Sequence, residues 1–163
     1  MADIDTQDMY NDYAKPVYRY LLGLCGNTHD AEDLTAETFY RALRSIDTYN
    51  GECKLQTWLF QIAKHIWYQE LDKRKHHKVS IEVAEPIADP ATLEESVISK
   101  ESKMELYHHL QKLDEVTREV IYLRLSGELS FKEIGEVLGK TENWARVTFY
   151  RGKERMKADG KPK

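Results

Sequence analysis

Apolar residues recur every three to four positions over most of this chain, the spacing of helices that bury one side. Met9, Tyr13, Val17, Tyr20, Leu21 and Leu24 form the first such run, which stops at Gly26 and has Pro16 inside it, predicting a kink. A second helix opens near Thr28 or Asp30, with acids in its first turn where the dipole favours them, and carries Leu34, Thr38, Ala42 and Ile46 along one side. Asn50-Gly51 marks a turn, and a long helix follows from about Leu55 to Lys73. On a wheel at 100° per residue, Leu55, Leu59, Phe60, Ile62, Ala63, Ile66, Trp67 and Leu71 fill about half of that helix, enough to meet more than one neighbour. The other side gathers Trp58, Gln61, His65, Tyr68, Gln69 and Asp72 and ends in Lys73-Arg74-Lys75. Aromatic rings mixed with amides beside cations suit unpaired bases, although the wheel leaves Trp58 equally able to serve as core.

The helical period fades from Val79 to Ser99, where Pro86 and Pro90 sit among acids. The pattern predicts an all-α chain of two small helical domains, 1–78 and 101–163, joined by an acidic linker over 79–100. Beyond the linker, Ser130-Phe131-Lys132-Glu133 is a capping box, with Ser at the N-cap and Glu three residues on. It opens a short helix that ends at Gly139, and a basic helix follows from about Thr141 to Lys157. Gly135 lies mid-helix, where glycine costs roughly 1 kcal/mol against alanine, so a close approach is expected there. A short helix, a glycine turn and a basic second helix describe a helix-turn-helix. In the second helix Ala145, Phe149, Gly152 and Met156 form an inward stripe; Asn143, Arg146, Val147 and Tyr150 face outward beside Arg151 and Lys153. Amide and guanidinium groups there suit base edges and phosphates.

Charge sharpens this reading. The net charge of −4 hides an alternation. Residues 1–37 carry eight acids against Lys15 and Arg19, and residues 79–105 carry seven against Lys100 and Lys103, with basic blocks between and after. The two cysteines have no zinc or disulfide spacing, and no metal or cofactor is expected. There is no Gly-rich phosphate loop, nucleophile elbow or His-Glu-x-x-His motif, so no enzyme chemistry is expected either. No apolar run approaches the ~18–20 residues that span a bilayer, and the start is acidic where a signal peptide is basic. The chain is expected in the cytoplasm, without direct membrane insertion. The residues alone leave a stand-alone helix-turn-helix regulator open.

Asp30-Ala31-Glu32-Asp33-Leu34-Thr35-Ala36-Glu37-Thr38-Phe39, followed by Thr57-Trp58-Leu59-Phe60-Gln61-Ile62-Ala63-Lys64, resembles region 2 of bacterial RNA polymerase sigma factors. Leu129 to Lys153 resembles region 4, and a chain with these two regions is similar to the extracytoplasmic-function (ECF) group. The resemblance implies that Asp30, Asp33, Leu34, Glu37 and Phe39 dock on core polymerase, on the clamp helices of β′. It implies that Asn50, Lys54, Trp58, Gln61, His65, Tyr68, Gln69, Lys73 and Arg74 hold the melted −10 element. It places Lys132, Thr141, Glu142, Asn143, Trp144, Arg146, Val147, Tyr150, Arg151 and Lys153 at the −35 element of promoter DNA. By the same resemblance the linker would thread the basic RNA-exit and active-centre channel of the polymerase, whose β′ and β subunits are the expected partners, and an anti-sigma factor, often membrane-anchored, would be the inhibitor. Ala36 stands where the family pattern has Gln, His65 where many members have Asn, and Lys140 where an aliphatic residue is usual.

Overall fold

The computed structural model describes residues 4–76 and 100–160, and every element among them is helical. The predicted linker falls almost wholly outside the described residues. The chain divides into two compact units, Met1–Ala84 and Glu85–Lys163. None of the described helices is long and apolar enough to cross a membrane.

In the first unit α1 (Thr6–Cys25), α2 (Thr28–Ser45) and α3 (Leu55–His76) pack against one another, with a short 3-10 turn at Ile46–Thr48. Asp5 starts α1 by accepting from the amides of Gln7 and Asp8, and Gly26 ends it in the left-handed conformation at φ 71°. The helix is continuous through Pro16, which is itself half-buried. Val17, Tyr20, Leu21 and Leu22 of α1 meet Ala31, Leu34, Thr38 and Ala42 of α2 and Leu59, Phe60, Ala63, Ile66 and Trp67 of α3 in the core. Burying threonine in α2 needs a partner for each hydroxyl. Thr35 and Thr38 donate to the carbonyls of Ala31 and Leu34 at 2.6 and 2.8 Å. The apolar arc of α3 is narrower than the wheel suggests, since Leu55, Ile62 and Leu71 are only half-buried.

The second unit holds α4 (Lys100–Gln111), α5 (Glu115–Leu125), α6 (Phe131–Leu138) and α7 (Glu142–Gly160). Both bonds of the Ser130–Glu133 capping box are present, and Gly139 closes α6 at φ 69°. A Cβ on Gly135 would stand 2.6 Å from the Lys140 carbonyl oxygen, so backbone makes the close approach that the glycine permits. Gly152 faces Thr117 and Ile121 of α5 and Ala145 and Phe149 are buried, as the inward stripe of α7 requires, while its last member, Met156, is half-buried.

Candidate polymerase and nucleic-acid interfaces

Helix α2 presents its acids unequally. Asp33 is 71 % exposed, with His29 beside it at 3.5 Å. Glu37 accepts from Arg41 at 2.9 Å, with about half of its side chain open to water. Asp30 is committed within the fold: it accepts from Arg74 Nη2 at 2.8 Å. That guanidinium also pairs with Glu70 at 3.3 Å and lies over the Trp67 ring, which leaves Arg74 17 % exposed. Arg74, placed at phosphates by its basic neighbours, thus ties α3 to α2. Leu34 and Phe39 are mostly buried, and Phe39 contributes to the wall of an apolar groove. That groove, of about 800 Å³, opens between α1 and α2 and is also lined by Tyr10, Tyr18, Tyr40 and Leu43. Sequence reading missed it, because Tyr10 lies on α1 and Tyr40 and Leu43 on α2, and only the packing of the two helices brings them together.

The loop before α3 is shaped by its own side chains. The Asn50 carboxamide oxygen accepts from the Glu52 amide at 3.0 Å, and Gly51 takes φ 80°. The Tyr49 hydroxyl donates to the Cys53 carbonyl, and burial pushes the phenol above its ordinary pKa. The Tyr49 ring lies 5.3 Å from Trp58 and leaves that indole half-buried, between the two roles the wheel allowed. His65, Tyr68 and Gln69 are exposed on one face, Gln61 is half-buried, and the Lys64 ammonium sits over the Tyr68 ring. Arg41 Nη1 donates to Gln69 Oε1 at 2.8 Å, and Gln69 Nε2 lies 3.3 Å from His65 Nε2. Lys54 and Lys73 are open to solvent.

In the second unit Thr141 caps α7, its hydroxyl accepting from the Trp144 amide at 3.0 Å. Asn143, Arg146, Val147, Tyr150 and Arg151 are exposed, with Lys132 exposed on α6. Trp144 and Lys153 are half-buried; the Lys140 ammonium covers the Trp144 ring, and that of Lys153 lies against Phe149 and Tyr150. Arg146 pairs with Glu142 at 3.7 Å and rests on the Phe131 ring, so its guanidinium stands ready on a fixed floor. Phe131, absent from the predicted set, touches both Phe149 and Tyr150; a helix-opening aromatic after a capping serine was the available signal.

Family comparison joins these faces. The model of Sigma-70 region 2 matches residues 9–77, and that of Sigma-70, region 4 matches residues 103–156. Over 166 aligned residues the chain is 31 % identical to the ECF RNA polymerase sigma factor SigW of Bacillus subtilis (strain 168), covering 96 % of this chain and 87 % of that one. The chain belongs to the ECF RNA polymerase sigma factors. SigM of the same organism is 28 % identical over 93 % of this sigma factor and 92 % of its own length. The fold is shared with the sigma factor RpoE solved in complex with the anti-sigma factor NepR from Bartonella quintana, at TM-score 0.75 and 21 % identity, over 93 % of this chain and 96 % of that one. It is shared too with CnrH, solved with the cytosolic domain of CnrY, at TM-score 0.69 and 18 % identity, over 94 % and 85 % of the two chains. Two sigma regions in order give the chain the function of a sigma factor in transcription and set the stand-alone regulator aside.

Proposed function

We propose that this sigma factor docks on core RNA polymerase through the open carboxylates of α2, reads the melted −10 element with the outer face of α3, and reads the −35 element with α7. Asp33 and Glu37 lie four residues apart on one helix face and can meet arginines across a single contact. His65, Tyr68 and Gln69 take unpaired bases by stacking and hydrogen bonding, with Lys54 and Lys73 on nearby phosphates. Arg146 supplies the bidentate donor for a base edge, while Lys132, Arg151 and Lys153 hold phosphates. The protein acts without catalytic chemistry of its own, in the cytoplasm, and an anti-sigma factor occludes these faces. The observation that carries the reading is the sequence of three exposed faces: acidic on α2, aromatic and amide on α3, basic on a capped helix-turn-helix.

The test is run-off transcription with core enzyme, paired with core-binding measurements on the D33K/E37K double variant. Core binding and transcription should both be lost while helical circular dichroism stays at the wild-type level. Unchanged affinity for core would refute the docking assignment.

A further inference from the structure

The bridge between α2 and α3 fixes more than their packing. A guanidinium has only donors, so the Gln69 atom that faces Arg41 at 2.8 Å must be the carboxamide oxygen. The amide nitrogen is thereby turned toward His65 Nε2 at 3.3 Å. An amide N–H can only donate, so that ring nitrogen is the acceptor and the imidazole carries its proton on Nδ1. One arginine therefore dictates the amide orientation and, through it, the histidine tautomer. The face is left with two donors, the second Gln69 N–H and His65 Nδ1–H. Glu37 holds Arg41 in turn, accepting from its Nε at 2.9 Å.

We propose that Arg41 is a specificity-positioning residue for the −10 face: by holding Gln69 and His65 as a pair of donors, it makes that face select a keto base, guanine or thymine, over the amino bases adenine and cytosine. On the major-groove edge, which the proposal has an unpaired base turn to this face, guanine O6 and thymine O4 accept where adenine N6 and cytosine N4 would oppose donor to donor. Arg41 does not touch DNA; it acts through Gln69. The inference rests on the proposed role of α3 in reading unpaired bases and names the chemistry of that reading.

The experiment measures holoenzyme binding to single-stranded non-template oligonucleotides, at saturating core, with each −10 position set in turn to G, T, A or C. At one position the wild type should favour keto over amino bases by roughly threefold to tenfold, the worth of a neutral hydrogen bond. Q69A and R41A should both bring that ratio close to one, and R41K, which still donates to the amide oxygen, should recover part of it. In the free protein, imidazole nitrogen shifts should report the Nδ1–H tautomer of His65 in the wild type and its loss in R41A; a purely structural arginine would move neither readout. If Q69A loses the preference and R41A keeps it, Arg41 has no positioning role, while α3 still reads bases. If Q69A leaves every position unchanged, the base-reading role of this face falls, and the inference with it. A Gln69-dependent preference for adenine or cytosine would overturn the proposed keto selectivity.

Discussion

Gly135→Ala sets two physical effects of opposite sign against each other. Helix propensity alone makes alanine the better residue in the middle of α6, by roughly 1 kcal/mol. The structure reverses the sign. The new Cβ would lie 2.6 Å from the Lys140 carbonyl oxygen and 3.0 Å from the carbonyl carbon and oxygen of Thr141, where ordinary contact begins near 3.4 Å. The obstacle is backbone, and it is pinned: the Lys140 amide donates to the Gly135 carbonyl at 2.8 Å, and the Thr141 hydroxyl caps α7. Relief requires the turn to move by several tenths of an ångström, carrying the start of α7 with it. Overpacking costs about 1–3 kcal/mol, and an obstacle that is backbone puts this case in the upper half of that range, about 2–3 kcal/mol, which leaves a net loss of roughly 1–2 kcal/mol after the propensity gain. For a unit of this size that lowers its melting temperature by about 5–15 °C.

Urea denaturation of the full chain, followed through amide resonances of α6 and α7, isolates this unit, and holoenzyme affinity for −35 duplex reports the displaced helix. Gly152→Ala provides the contrast. Its Cβ would meet Ile121 Cδ1 and Thr117 Cγ2, both at 2.8 Å. The isoleucine tip can rotate away; Thr117 resists, because its hydroxyl is held by Asp114 at 2.7 Å. The loss should be smaller than at position 135. A neutral or stabilised G135A would refute the reasoning, and a larger loss in G152A would refute its ranking.

Asp114 is held below the usual carboxylate range, chiefly by the Thr117 hydroxyl and amide and with help from Arg155, so its contribution is full above the unfolded value near 4 and fades as pH falls through the lowered folded value. D114N keeps a capping oxygen but does not titrate; the stability gap between wild type and D114N, measured by denaturation from pH 6 down to pH 2, should shrink below about pH 4. R74M should destabilise the first unit by roughly 1 kcal/mol, after discounting the partly exposed Asp30 for screening, and should leave the salt dependence of −10 strand binding unaltered. K73A should do the reverse, with unchanged stability and a salt slope shallower by about 0.7, the value for one contact to single-stranded DNA.

Local signals carried most of the architecture. The Ser130–Glu133 box and the glycines at 26, 51 and 139 act over one or two turns and stand in the structure where the sequence puts them, and the three- and four-residue apolar spacing marks the helices even where, as in α3, their buried arc is narrower. What depends on distant residues was hidden. Arg74 and Asp30 lie 44 positions apart, and nothing in either neighbourhood tells that they pair. Leu34 and Phe39 match a polymerase-binding motif, yet their burial depends on α1, through contacts such as the 5.1 Å edge packing of Tyr10 on Phe39. Trp58 stayed undecided because the wheel knows only its own helix, whereas Tyr49 in the preceding loop covers one side of the indole. Helices α4 and α5 went unplaced, although Asp114 followed by Thr117 offered an N-cap; dense charge between residues 101 and 128 blurred the apolar period.

The acidity of the first unit accordingly overstates what it offers a basic partner. Arg74 is already neutralised by Asp30 and Glu70, and Arg41 by Glu37. Of the three acids assigned to docking, Asp30, Asp33 and Glu37, Asp33 is the one that faces no arginine, with an exposed histidine beside it. Docking at Glu37 must therefore compete with Arg41, and the size of that competition decides whether Glu37 can serve both. The pair is 41 % and 47 % exposed, a setting in which ion pairs are worth at most about 1 kcal/mol. A partner arginine that brings two parallel hydrogen bonds into a drier contact outweighs it. Arg41 then keeps its bond to Gln69, since that bond uses Nη1 and the ion pair uses Nε. On the proposed docking, Glu37 can engage polymerase while Arg41 still holds Gln69, so the two ends of one arginine would serve separate partners.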